Sequence, residues 1–447
     1  MIIITCPNNN IPERSYSVEA LFSDVLGCKK CDYVINFDDV KNYKIIAEEY
    51  EITIEDHFFN SHIETLSYLK QENFPKDLCY FHGLDMEIPI IYGVDKFYED
   101  KKSVTIGLDI FASTFFMLTR WEEYLMGREE NGDCNENLLF CVKHGLNKRS
   151  IVNEYAELLR RMLPSTFLSP NRPMEIVLSH DVDGFIAPTW IQIARDMTIQ
   201  TIYRMMGKKF GFTWRDEIDY RQSWPSPYIQ FEKYTEIADK YNISEWFYFK
   251  VCGKRETEAT YLYNDNRIVE IVNWLREKCN PGLRLGFHPS QSVFKKIKQW
   301  NKEMARIKEL LHEKPVIGRN HHLLFNHEVL HHWENISEQP FNISNCVFHK
   351  RLGFRSGICV PYHLFDIYQR RVMNLIETPC QIMDSAIRLH KYASVSELWN
   401  DIDDIINSVK KHSGCLVLTW HIYVRKRSMI TEYLNLCDRI IRFALNQ

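Results

Sequence analysis

The chain has 447 residues, of which 45% are hydrophobic and 13% aromatic, more apolar material than one core ordinarily uses, so two packed domains are expected. Its 55 basic and 59 acidic side chains leave a formal net charge of -4, so no global field draws it to nucleic acid or an anionic membrane. No stretch approaches the ~20 consecutive apolar residues of a membrane-spanning helix. The opening Met1-Ile2-Ile3-Ile4-Thr5-Cys6 lacks the basic region of a secretory leader, and a cytoplasmic location is expected. Thirteen dispersed cysteines point to reduced thiols, and the single Cys28/Cys31 pair has no second pair with which to hold a structural zinc.

In chain order, strand-like runs at Tyr33–Phe37 and Ile45–Ile54 precede a strong helical pattern over Leu108–Leu125 and a helix ending near Met162. Residues 1–172 therefore read as a smaller α+β domain. The proline-rich stretch Leu163–Pro173 reads as the linker. Beyond it, residues 173–447 alternate. A strand at Met174–Ser179 is followed by helical segments and the aromatic strand Glu245–Val251. Then come helix Asn266–Cys279, strand Leu283–Phe287, helix Val293–Leu311, strand Val316–Gly318 and helix His327–Asn335. Weaker strands follow at Phe341–Val347, Thr378–Met383 and Cys415–Trp420, with helices at Val395–Lys411 and Met429–Leu445. About seven strand and helix units in alternation imply a mostly parallel sheet, either an open doubly wound one or a closed barrel. No glycine-rich phosphate or dinucleotide fingerprint follows the first strand, where Ser179-His180-Asp181-Val182-Asp183-Gly184 stands instead. The expected class is α/β, a distorted seven-stranded (β/α) barrel preceded by the smaller α+β domain.

Polar residues gather just after the apolar strands. Asp181 and Asp183 follow the first; His288 the third; Arg319, His321 and His322 the fourth; Asp384 ends the sixth and His421 the seventh. In a parallel barrel those ends share one face, where such folds carry their chemistry. Asp181 and Asp183, two residues apart, are expected to point to opposite faces and so to meet different neighbours. One could hold a metal while the other accepts a proton, a nearby cation keeping both ionised. Turn or capping aspartates before a helix are the plainer alternative. His288 could likewise bind metal or cap a helix. Nitrogen and oxygen donors together suit a borderline divalent cation such as Zn²⁺. His327, His331 and His332 on the following helix are read as surface residues.

At these positions the chain resembles the polysaccharide deacetylases of carbohydrate esterase family 4, in a branch with an extra N-terminal domain. Ser-His-Asp-Val-Asp resembles the family's first motif, which implies Asp181 as catalytic base and Asp183 as metal ligand. Gly286-Phe287-His288-Pro289-Ser290 resembles the second motif and implies His288 as a ligand. Gly353-Phe354-Arg355-Ser356-Gly357 resembles the arginine motif lining the groove. Leu418-Thr419-Trp420-His421 resembles the last motif, whose histidine protonates the leaving group, and Asp384 looks like the buried tethering carboxylate. One departure stands out. The family supplies two histidine ligands four residues apart, but positions 284 and 292 are Arg and Ser. His321 is expected to take the missing place, with His180 and His322 as substitutes.

The resemblance implies a metal-dependent hydrolase, most simply zinc-dependent, that removes an N- or O-acetyl group from a sugar or polysaccharide precursor of the cell envelope. Asp181 would act as base, His421 as acid, and Arg355 and Asp384 would orient them. The alternative is a noncatalytic carbohydrate-binding protein that keeps the groove without metal. A metallophosphoesterase would need more ligands and phosphate-binding donors.

Overall fold

The computed structural model describes residues 1–127, 134–164, 173–185, 189–207, 214–215, 218, 228–252, 261–278, 280–291, 293, 296–325, 327–390, 392–422 and 427–446. Most of the expected linker, together with Cys279 and Ser292, lies outside the described residues. Two compact units are present. Unit 1 comprises Met1–Glu175, His322–Gln381 and His390–Leu416; unit 2 comprises Ile176–His321, Ile382–Leu389 and Val417–Gln447.

Unit 1 contains a six-stranded mixed sheet in the order Tyr33–Asp38, Ile2–Pro7, Tyr43–Ala47, Tyr50–Ile54, Ser103–Leu108, Gly93–Glu99. Ile2, Ile4 and Cys6 are fully buried while the residues between them are partly open, the period-two pattern of a strand with one face on the core. The single strand expected over Ile45–Ile54 is a hairpin, because Glu48 at φ 57 turns the chain. The helix expected over Leu108–Leu125 is likewise two. Asp109 caps Ile110–Thr119 by accepting the Ala112 amide, and Arg120 at φ 53 breaks the chain before Trp121–Leu125. Later in unit 1, helix His327–Glu334 precedes strand Phe341–Ile343. That strand pairs in parallel with Arg371–Glu377, which forms a hairpin with Tyr362–Asp366. Helix Val395–Lys411 has the expected bounds, with Ser394 accepting the Glu397 amide at its start.

Unit 2 is built on parallel strands in the order Ile317–Gly318, Leu283–Phe287, Ser244–Phe249, Glu175–Val182, Cys415–Thr419, Ile382–Met383. Nearly every residue of Glu175–Val182, Ser244–Phe249 and Cys415–Thr419 is buried, as parallel strands covered on both faces require. At Gly286 the next strand approaches so closely that a Cβ would sit 2.5 Å from Ile317 Cγ1. Helices Ile229–Tyr241, Asn266–Arg276 and Ile297–Leu311 alternate with these strands, so the βα rhythm expected from the sequence is present. The pairing is an open series. Among the described residues the strands of unit 2 do not close a seven-membered ring.

Candidate active site

The strand Glu175–Val182 sends alternate side chains to opposite sides. His180 goes one way. Its ring stacks on Phe247 at 4.7 Å, its Nδ1 lies 2.9 Å from the Trp420 carbonyl oxygen and its Nε2 is 3.3 Å from Glu245. Ser179 and Asp181 go the other way, where both meet Arg319. Asp183 joins them, so the expectation of opposite faces fails: residues two apart in extended chain share a side. His288 Nε2 stands 3.8 Å from an Asp181 oxygen and 3.6 Å from an Asp183 oxygen. The two carboxylates nevertheless differ in their cations.

Asp181 takes Arg319. The fully buried guanidinium donates to Asp181 Oδ1 at 2.9 Å and to Ser179 Oγ at 3.1 Å, and lies 4.4 Å over the Tyr248 ring. Burial works to raise the Asp181 pKa, but Arg319, then His288 and His421, outweigh it and hold the carboxyl below its ordinary value. Asp183 takes Lys250. This is the first residue past strand Ser244–Phe249, and its amide is anchored by Tyr261 Oη, whose hydroxyl donates to the Val182 carbonyl. Lys250 Nζ lies 2.8 Å from Asp183 Oδ1 and 2.8 Å from His321 Nε2, with its side chain buried. Burial pushes the Asp183 carboxyl up, and Lys250 followed by His288 pulls it well below its usual range.

The imidazoles are oriented from behind. His288 Nδ1 is 2.7 Å from the Arg319 carbonyl oxygen, which can only accept, so Nδ1 carries a hydrogen and Nε2 faces the carboxylates. His421 is gripped by Asp384, the first residue of helix Asp384–His390. Nδ1 lies 2.6 Å from Oδ1, and the His421 amide donates to Oδ2 at 3.1 Å. Its Nε2 is 3.8 Å from Asp181 Oδ2. Burial works to lower its pKa, but Asp384 and then Asp181 and Asp183 push it up to about 9. His421 is therefore an imidazolium at neutral pH, with one N–H held by Asp384 and the other turned toward Asp181.

Asp183, His288 and His321 each offer one ligand atom, all within 4.8 Å of one another. Two imidazole nitrogens and one carboxylate oxygen suit a borderline ion such as Zn²⁺, so the residues fit a metal. The Lys250 ammonium lies 2.8 Å from two of the same three donors, as an ion pair with Asp183 and a hydrogen bond with His321, and a divalent ion held there would have to displace it.

Of the seven residues given a catalytic or first-choice ligand role, six thus meet in unit 2: Asp181, Asp183, His288, His321, Asp384 and His421. Arg355 does not. It belongs to unit 1, where it donates to both oxygens of Glu123 and to the Val347 carbonyl. The arginine brought to Asp181 is Arg319, a strand-end residue to which the sequence reading gave no role. Lys250 was missed altogether, although it obeys the same rule of a polar group directly after an apolar strand. Of the positions where a second family ligand was sought, Arg284 is exposed on its strand.

Residues 2–168 match a family model described as a family of unknown function (DUF7033). No curated protein matches this chain. Among solved structures, the chain is similar to a protein from Bordetella bronchiseptica, provisionally described as a polysaccharide deacetylase involved in O-antigen biosynthesis. The identity is 10%, the TM-score 0.29, and the match covers 61% of this chain and 84% of that one. A provisionally described polysaccharide deacetylase from Mycobacterium smegmatis is similar at 15% identity and a TM-score of 0.35, over 61% of this chain and 86% of that one. Among the described residues no helix is long and apolar enough to cross a membrane.

Proposed function

We propose that residues 173–447 carry a hydrolase that removes an acetyl group from an N- or O-acetylated sugar of a cell-envelope polysaccharide precursor, with the strands of unit 2 as the open, site-bearing part of a distorted (β/α)7 barrel. Residues 1–172 would form an accessory domain, and the cytoplasm would be the place of action. The observation carrying this reading is the position of Asp181, between the Arg319 guanidinium and the His421 imidazolium and beside the donor set Asp183, His288 and His321.

A divalent ion, zinc by donor chemistry, held by those three residues would supply Lewis-acid activation of the acyl carbonyl and of a water. Asp181, kept ionised by Arg319, accepts the proton of the attacking water. Asp384 holds His421 protonated and fixes the direction of its Nε2–H, from which the departing amine or alkoxide takes a proton. His288 would present Nε2 to the ion, since its other nitrogen is committed to the Arg319 carbonyl. The test is acetate release from N-acetylated oligosaccharides by the purified zinc-supplied protein. Release that a chelator abolishes is expected, and sugar binding without any release would discard the hydrolase.

One observation favours a second reading, a metal-free carbohydrate-binding protein: the Lys250 ammonium already sits 2.8 Å from both Asp183 and His321 and neutralises the carboxylate without an ion. The retained pairing of Asp384 with His421, which a binding groove does not need, favours hydrolysis over it.

A further inference from the structure

We propose that unit 1 holds a separate transition-metal site formed by His327, His331 and Asp366. Helix His327–Glu334 sets the two histidines one turn apart, with ring centroids 4.5 Å from each other. Asp366 closes strand Tyr362–Asp366 and faces them. Its Oδ1 accepts the amides of Tyr368 and Gln369, which fixes the carboxylate plane and leaves Oδ2 turned to the helix. The Asp366 carboxylate is wholly buried, and Oδ2 has no hydrogen-bond partner among the described residues.

That oxygen and His331 Nε2 carry the argument. They stand 2.9 Å apart, yet neither atom has a hydrogen bond of acceptable geometry. A buried carboxylate oxygen left without a donor costs roughly 1–3 kcal/mol or more, so such an atom is expected to have a further partner. Two donors close together but not aimed at one another are what co-ligands of a third atom look like. Ligands at about 2.0–2.2 Å around a tetrahedral ion lie roughly 3.3–3.6 Å apart, so the 2.9 Å pair would open by about half an ångström on taking an ion. His327 Nδ1 lies 3.4 Å from Asp366 Oδ1, and the three residues present ligand atoms within 4.8 Å of one another.

The surroundings suit a metal as well. His331 Nδ1 faces Glu334 at 3.5 Å, and Glu334 is itself pinned by both terminal nitrogens of Arg371 and by the Asn374 amide. A carboxylate behind one ring nitrogen orients the other for coordination. Two imidazoles and one carboxylate select zinc or a similar borderline ion over calcium or magnesium, which prefer oxygen. The half-buried imidazoles leave a route for entry, and an ion there would tie helix His327–Glu334 to the hairpin of Tyr362–Asp366 and Arg371–Glu377. None of these residues belongs to the cluster of unit 2, so the inference stands whether or not that cluster hydrolyses anything.

The experiment uses the full chain with Asp183→Asn and His288→Ala together, which weakens the other donor set. After loading with zinc chloride and desalting, one zinc per chain is expected to remain, and the unfolding temperature should rise with added zinc. Adding His331→Ala should remove both the zinc and the zinc response. Asp366→Asn, which keeps the carboxylate's shape, should do the same if the alanine variant does not fold. Cobalt in place of zinc should show tetrahedral absorption that vanishes with the same substitutions. A folded background variant that retains no zinc, or one whose zinc survives both substitutions, would overturn the site in favour of a plain histidine and carboxylate ion pair.

Discussion

Both units bury a cluster of carboxylates and cationic side chains, and the two clusters are built to different ends. In unit 1, Glu123 accepts Nε and Nη2 of Arg120, each at 2.7 Å, and Nε and Nη2 of Arg355 at 3.1 and 3.0 Å. Arg120 also lies 4.1 Å over the Phe325 ring. Every carboxylate oxygen there is claimed by aligned donors, and the charges are sealed from water. In unit 2, Asp181 and Asp183 each have one dedicated cation and otherwise face imidazoles at 3.6 and 3.8 Å, with Asp183 26% open to solvent. A closed charge cluster holds a fold together. One with its acceptors left partly uncommitted and its rim open can take a ligand and move a proton.

The largest effect is expected at Asp181. Asp181→Asn should lower acetate release by about 10²- to 10⁴-fold, the range of a positioned base, while bound zinc stays unchanged by elemental analysis. If turnover survives, Asp181 is not the base. Next in size is Glu123→Gln in unit 1, which strips the charge from between two buried guanidiniums. A loss of roughly 3–5 kcal/mol is expected in urea unfolding, with turnover per folded molecule unaltered. A stability change near zero would make that cluster dispensable.

His421→Ala should cost about 10²-fold in rate with zinc retained. Its pH signature sharpens the assignment. The folded pKa is raised from 6.5 to about 9, so the imidazolium's stabilising contribution is complete below 6.5 and disappears as pH climbs through about 9. Activity should fall across that upper limit. Asp384→Asn should move the alkaline limb to lower pH, and an unmoved limb would separate Asp384 from His421. The smallest effect is expected from Lys250→Met. By removing a competing cation, it should tighten zinc binding by about tenfold in a calorimetric titration, a small part of the repulsion between two cations at such range. Weaker binding would mean that Lys250 supports the ion instead of competing with it.

Much of the unit 2 cluster is legible because one rule places it: polar residues directly after the hydrophobic strands come together at one end of the sheet. Asp181, Asp183, His288, His321 and His421 all follow from that rule with no knowledge of contacts. Lys250 escaped because the aromatic run was read as a strand continuing to Val251, which made it one strand residue among others. Arg355 differs, since it lies in unit 1 against Glu123. Its glycine-flanked motif matched, but its partner Glu123 lies 232 residues away, and no local pattern reports such a pairing. In the fold, strand and helix identities were read well and the turns poorly. Glu48, Arg120 and Arg370 all adopt positive φ without being glycine or asparagine, so two breaks and the turn joining Tyr362–Asp366 to Arg371–Glu377 carried no signal. His331, read as a surface residue, sits against a buried carboxylate that only the hairpin brings to it.

Anomalous diffraction at the zinc edge from crystals of the intact chain soaked in zinc would locate the ion. A peak bonded to Asp183, His288 and His321 is expected, with the Lys250 ammonium displaced. Clear density for Lys250 still bonded to Asp183 and His321, with no peak beside them at saturating zinc, would contradict it.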